Sequence, residues 1–175
     1  ASCYVAAVTH RHSPSVALLN VGEEQIKGNA QVKSASALMT NESELNYVGF
    51  VEGNDIFKGI VDIIVCDGFV GNIALKTSEG VAQLLFSGFH KAAVKSIWLR
   101  FVGFLAFASF RKFLNQLDPC QLNGAIFLGL AGIIIKSHGN ADVVAFEKAL
   151  EKAYDAAHFD VVPAMKERFS RNAAA

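Results

Sequence analysis

Three short stretches carry the side chains that could do chemistry: "GEEQIKGN" from Gly22 to Asn29, "DGFVGN" from Asp67 to Asn72 and "SHGNAD" from Ser137 to Asp142. Each combines a glycine and a small polar residue with a charged or hydrogen-bonding side chain. Strand, glycine-punctuated turn and helix start is the order in which α/β proteins present backbone N–H groups to an anion. Lys27, Lys76, Lys136 and His138 add positive charge or hydrogen-bond donors, and Asn72 adds an amide. A cation, an amide and a nest of N–H groups suit phosphate or another oxyanion. Gly28, Asn29, Asp67, Gly68, Gly71, Lys76 and His138 are therefore the expected binding positions. Any single one of these turns also reads as a glycine-assisted helix start, and His138 reads equally as a hydrogen-bonded loop histidine with no chemical role.

Other chemistries are poorly served. No Ser-His-Asp or Cys-His arrangement is visible, and no GxGxxG stands in a strand-to-helix context with an acidic residue about 20 positions on. The histidines at 10, 12, 90, 138 and 158 show no ligand grouping beyond the "HRH" of the N-terminal stretch, so no metal and no cofactor are expected. Cys3, Cys66 and Cys120 form no CxxC pair, and Cys66 reads as a small core residue inside an apolar strand. A reduced, cytoplasmic setting follows from that cysteine usage.

The elements that must position these stretches follow from the hydrophobic pattern. "VALLNV" at Val16 to Val21 is a continuous apolar run, as a buried strand requires. Helical spacing follows from Gly28, then strands at Asn46 to Glu52 and Asp62 to Asp67, then helical periodicity from Asn72 to about Ser96 with a break expected near Gly88. "IIIK" reads as another buried strand, and a helix is expected from about Asp142 to Ala157. Strands rich in Ile and Val that alternate with helices imply a single α/β domain over residues 1–175, with a mostly parallel sheet and helices on both faces. Ligands of such sheets sit beyond the carboxyl ends of the strands, where all three polar stretches fall.

Composition adds a second theme. The chain is 52% hydrophobic and 18% charged, against a usual charged share of about 25%, which points to extensive burial or to a surface that meets something greasy. Lys+Arg and Asp+Glu are equal at 16 each, so overall charge gives no reason to expect nucleic acid. The N-terminal "ASCYVAAVTHRHSP" has neither the initiating Met nor the apolar core of a signal peptide and reads as the interior of something longer. Phenylalanines recur at every third position from Phe101 through Phe104 and Phe107 to Phe113, beside Trp98. Arg100 and Arg111 bracket only ten uncharged residues, whereas a spanning helix needs about 20. An interfacial helix lying among lipid headgroups fits that pattern, and so does a buried dimerisation helix. Lys91, Lys95, Arg100, Arg111 and Lys112 form the densest basic group.

In their order along the chain, "ALLNVGEEQIKGN", "NYVGFVEGNDIFKG", "VDIIVCDGFVGNIALKTSEG" and "LNGAIFLGLAGIIIKSHGNAD" resemble the successive motifs of the PlsX-type phosphate acyltransferases. The resemblance runs from about Val16 to the helix after Asp142. It implies a Rossmann-like three-layer α/β/α sandwich, a homodimer and peripheral membrane attachment; the apolar pattern itself places a protruding helical segment at 89–117, with Trp98, Phe101, Phe104 and Phe107 as the expected membrane contacts. It also implies formation of acyl phosphate from acyl-acyl carrier protein and inorganic phosphate, which feeds phospholipid synthesis. Lys27 and Asn72 would be the acting positions, with Glu23, Asp67 and His138 secondary; His138 would share in phosphate binding or in protonation of the leaving thiolate. Phosphate is itself an anionic nucleophile, so positioning and oxyanion stabilisation suffice without a protein nucleophile. The basic group would steer the acidic carrier protein or form a solvated or lipid-facing cationic surface. The family's members are longer, and the chain resembles only their second half. An inactive half-domain that binds acyl carrier protein or a partner subunit is the alternative.

Overall fold

Val16, Ala17 and Leu18 are almost completely shielded from solvent, and the first unit of the structure is built around them. The computed structural model describes residues 1–95 and 123–173. They form two compact units, one of Ala1–Val70, Phe127–Ile134 and Ala153–Ala175, the other of Gly71–Ile126 and Ile135–Lys152.

In the first unit, β1 (Val16–Leu19) lies between β2 (Tyr47–Val51) and β3 (Ile63–Val65), and both pairings are parallel. Val16 stands opposite Tyr47 on one side and Ile63 on the other, and Leu18 opposite Phe50 and Val65. A central parallel strand is covered on both faces, which is why β1 reads as an unbroken apolar run without alternation. Burial of each Val or Leu side chain is worth about 1.5–3 kcal/mol. The starts of β1 and β3 are tied by Asp62, whose carboxylate accepts from the Ser15 N–H and hydroxyl, both at 2.8 Å, and pairs with Arg11. Those bonds from Ser15 hold the Asp62 carboxyl below its ordinary range.

Between β1 and β2 runs α2 (Ala30–Thr40), and Tyr47 donates its hydroxyl to Ser36 Oγ at 2.9 Å to join helix and strand. The N-terminal helix α1 (Ser2–Thr9) packs on α5 (Val161–Ala173), whose Val161 and Met165 are buried. A parallel three-stranded sheet flanked by helices is an α/β architecture of the Rossmann-like kind, as the strand-helix alternation and the resemblance imply.

The second unit contains most of α3 (Gly68–Lys95, the last described residue before 123), the strands β4 (Ala125–Ile126) and β5 (Ile135–Lys136), and the first part of α4 (Val143–His158). Three expectations are corrected here. The "IIIK" run is not a buried strand: Ile135 and Lys136 pair antiparallel with Ile126 and Ala125, and Ile134 is exposed. Cys66 is not a core residue, because β3 ends at Val65 and leaves the thiol exposed. No break occurs at Gly88, since α3 is continuous from Gly68 to Lys95 and a lone glycine in a long helix costs only about 1 kcal/mol. The apolar segment at 97–114, with Trp98, Phe101, Phe104 and Phe107, lies outside the described residues, as does the expected protrusion beyond Lys95.

Candidate oxyanion-binding residues

The loops that follow β1 and β3 leave the same carboxyl edge of the parallel sheet, as the sequence pattern requires. Beyond β1 the chain turns sharply, and Val21, expected as the last strand residue, is 78% exposed. Asn20 makes the turn. It is 8% exposed, and its Nδ2 donates to the carbonyl of Gly22 at 3.0 Å and to that of Lys27 at 3.4 Å. Gly28 has φ +91, and a Cβ there would lie 2.4 Å from Asn20 Oδ1, so both conformation and space demand glycine. Asn29, expected near the anion, is the N-cap of α2: its side chain accepts from the Val32 N–H at 2.9 Å.

Lys27 itself is exposed, with Nζ 2.8 Å from Glu24 Oε2. Hydrogen bonding to Glu24 raises the Lys27 ammonium above its ordinary value, and the same bond lowers the Glu24 carboxyl. Glu24 contributes stability that is present above its unfolded-state value and lost as pH falls through its depressed one. Lys27 contributes stability that is lost as pH rises through its elevated value. Between those limits Lys27 is a fixed cation, suited to hold an anion and unsuited to take a proton. An exposed pair stabilises little, so an incoming anion displaces Glu24 at small cost.

"DGFVGN" is not a turn. Asp67 accepts from the N–H groups of Phe69 at 2.9 Å and Val70 at 3.3 Å, so the helix begins at Gly68, four residues before the position the periodicity suggested. Gly68 and Gly71 thus stand in the first turn of α3, and the Asp67 carboxylate occupies donors that an anion would otherwise use. Asn72 lies on α3 and is exposed. Lys27, Asp67 and Gly68 belong to the first unit and Gly71, Asn72, Lys76 and His138 to the second.

Within the second unit, Lys76 and His138 come together. Asn72 and Lys76, four residues apart, share one face of α3. Lys76 Nζ reaches His138 Nε2 at 3.3 Å and Glu79 Oε2 at 2.8 Å, and this bond to Lys76 lowers the Glu79 carboxyl. The Asn140 N–H lies 3.3 Å from His138 Nδ1, so a neutral ring accepts either from Asn140 at Nδ1 or from Lys76 at Nε2. With the proton on Nε2, that N–H and the Lys76 ammonium are both donors, and an anionic oxygen is the acceptor that would satisfy both.

Asn123, which the sequence reading did not single out, holds this loop. Only 8% exposed, it donates from Nδ2 to Ser137 Oγ at 2.8 Å and to the Ala145 carbonyl at 2.7 Å, and its Oδ1 accepts from the His138 N–H at 2.9 Å. Gly124 has φ +94, and a Cβ there would come within 2.9 Å of Ala149 Cα. Lys136, the remaining candidate, is exposed on β5. Among the described residues no group of three or more His, Cys, Asp or Glu side chains is placed to hold a metal ion, and no helix is long and apolar enough to cross a membrane.

Two outcomes follow from this geometry. Asn123→Ala leaves buried partners unsatisfied and lowers unfolding free energy by about 1–3 kcal/mol in denaturant titration, with faster hydrogen exchange at the His138 amide. In a carbon-13 NMR titration of the Glu24 carboxyl, the midpoint in the unsubstituted chain lies below that in Lys27→Ala; equal midpoints contradict the ion pair.

The chain matches the model of the family described as fatty acid synthesis protein over residues 1–164. It is 48% identical over 176 aligned residues to a phosphate acyltransferase of Polaromonas sp., covering 98% of this chain and 47% of the relative. To the phosphate acyltransferase of Cupriavidus metallidurans it is 46% identical, covering 100% of this chain and 48% of the relative. To that of Marinobacter nauticus it is 47% identical, with coverages of 95% and 49%. The chain therefore spans about half the length of the curated relatives it matches. With the family model spanning nearly the whole chain, and an α/β fold that carries its polar motifs in the order of the resemblance, the chain belongs to the fatty acid synthesis protein family.

Proposed function

We propose that this chain is the second half of a phosphate acyltransferase, which transfers a fatty acyl group from the thioester of acyl-acyl carrier protein to inorganic phosphate. The observation that carries this reading is the convergence of Lys76 Nζ and His138 Nε2, 3.3 Å apart, on the α3 face that also bears Asn72. The relatives named phosphate acyltransferase support it. In the reaction a phosphate oxygen attacks the thioester carbonyl carbon and the C–O bond forms. The carbonyl oxygen carries the negative charge of the tetrahedral intermediate, and the C–S bond then breaks to release acyl phosphate and a pantetheine thiolate, which takes up a proton. Lys27 neutralises phosphate or the oxyanion, Asn72 donates a hydrogen bond to the developing charge, and Lys76 with His138 Nε2–H holds phosphate oxygens. His138 is also the group placed to give the thiolate its proton.

A second reading is supported by the half-length match and by large apolar side chains left exposed, among them Ile26 at 82% and Phe57 at 75%. In it the chain is a catalytically inactive half-domain that binds acyl carrier protein or a partner subunit. Incubation with long-chain acyl-acyl carrier protein and phosphate, with hydroxylamine to trap acyl phosphate, separates the two. Product identifies an enzyme, and binding without product identifies a binding module. On the first reading Lys27→Ala and Asn72→Ala each lower turnover about 100-fold to 1000-fold, the range for loss of one oxyanion contact, with unchanged thermal unfolding. Near-normal turnover removes the substituted residue from the site.

Residence at the cytoplasmic face of a membrane as a homodimer belongs to the same proposal. It rests on Trp98, Phe101, Phe104 and Phe107 set among arginines and lysines in the sequence. Replacing Phe104 and Phe107 by Glu is expected to reduce sedimentation with anionic vesicles while the dimer persists. Loss of the dimer with vesicle binding intact assigns the segment to the subunit interface instead.

A further inference from the structure

We infer that Asn20 and Gly22 are positioning residues that together seat Lys27, Asn20 by fixing both ends of its loop and Gly22 by leaving room for its side chain. This rests on the reading of Lys27 as an anion contact. The seat begins at the sheet. Asn20 donates its backbone N–H to the Val51 carbonyl at 2.9 Å, so its Cα is held against β2 although β1 has ended. From that anchored point the buried side-chain amide reaches back over the loop and gives its two Nδ2 hydrogens to the carbonyls of Gly22 and Lys27, at 3.0 and 3.4 Å. One side chain thereby binds the first and last residues of a six-residue turn to the carboxyl edge of the sheet. A backbone turn bond from Lys27 N–H to the Glu24 carbonyl at 3.0 Å closes the far side of the loop.

Gly22 completes the seat in another way. It is buried, yet its φ lies outside the left-handed region, so conformational freedom does not explain a glycine there. Space does. A Cβ on Gly22 would stand 2.2 Å from Lys27 Cδ and 2.8 Å from Lys27 Nζ, so the lysine stem lies directly over the bare backbone. Its nearest other atom is Glu24 Oε2 at 2.7 Å, also the end of a flexible side chain. A methyl group at 22 therefore moves the lysine and leaves the backbone and the sheet as they are. Asn20 sets where the Lys27 backbone is, and Gly22 sets where its ammonium can go. With both in place Lys27 is pre-organised, so less rotamer entropy is lost when an anion binds.

The test uses the chain labelled with carbon-13 lysine, the Lys27 Cε signal being assigned by its loss in Lys27→Ala. Inorganic phosphate is titrated against the unsubstituted chain, Asn20→Ala and Gly22→Ala, and thermal unfolding of each is recorded. Expected is a saturable shift of the Lys27 signal in the unsubstituted chain, with the apparent affinity weakened about tenfold, 1.4 kcal/mol, in each variant, and with unfolding of Gly22→Ala unchanged. In hydroxamate assays Asn20→Ala lowers turnover in the parent but adds no further loss on top of Lys27→Ala, a non-additivity that a merely structural role does not produce. Should Asn20→Ala fail to fold, Gly22→Ala alone decides. Phosphate affinity at Lys27 unchanged in folded variants overturns the seat and leaves Lys27 as an anion contact. Absence of any phosphate response at Lys27 in the unsubstituted chain overturns both.

Discussion

Burial of β1 between two parallel neighbours is the constraint from which the first unit's functional geometry follows. Because its three strands run in one direction, every loop that follows a strand emerges at the same edge. Because Val16, Ala17 and Leu18 are shielded, that edge has a fixed origin. A one-residue slip of β1 would turn every side chain to the opposite face and carry Asn20 away from Val51. The Lys27 loop is therefore only as well placed as the register of β1, and that register is set by Asp62 and Ser15 at one end and by the backbone bond from Asn20 to Val51 at the other.

Each unit then solves the same problem with the same residue type. A loop bearing a charged or titratable side chain must be held without a helix or sheet ladder of its own, and its carbonyl groups must still find donors. In the first unit Asn20 donates to the loop carbonyls, and in the second Asn123 donates to the Ser137 hydroxyl and the Ala145 carbonyl and accepts the His138 N–H. The amide suits both places because it carries donors and an acceptor but no charge, so its burial at 8% exposure costs far less than a charge would. An aspartate in either position would set a carboxylate against carbonyl oxygens. A glycine accompanies each amide, Gly28 beside Asn20 and Gly124 beside Asn123, both at positive φ and both with a neighbour where a Cβ would stand.

What the sequence disclosed and what it hid divide along the range of the interactions. The β1 run and the spacing of α4 are local patterns, and both elements appear within a few residues of their expected bounds. The fold class followed from the alternation of such patterns. Asp67 was legible as a polar residue after a strand but not as a helix cap, since capping depends on the N–H groups of Phe69 and Val70 pointing at it. That error placed Asn72 in a turn when it stands on α3. The "IIIK" run was misread for a related reason: a short apolar stretch carries no sign of whether its partner is parallel and buried or antiparallel and half-exposed. Asn20 and Asn123 were invisible because one was absorbed into the strand run Val16 to Val21 and the other reads as punctuation before Gly124. Their function lies in partners up to 22 residues away in sequence.

The ion pair between Lys27 and Glu24 bears on how far the ammonium is free to move. An isolated ammonium in water is well solvated and roams over many rotamers, and an anion that captures it must restrict that motion. Here the stem is confined over Gly22, and a carboxylate three residues earlier holds the ammonium in place. Because the pair is exposed its own contribution is small, so the arrangement limits the lysine's wandering at little cost. Lys76 with Glu79 repeats the motif at the same spacing in the second unit, there with His138 Nε2 3.3 Å from the ammonium. In each unit a lysine is thus kept in place by a weakly held carboxylate three residues away in sequence.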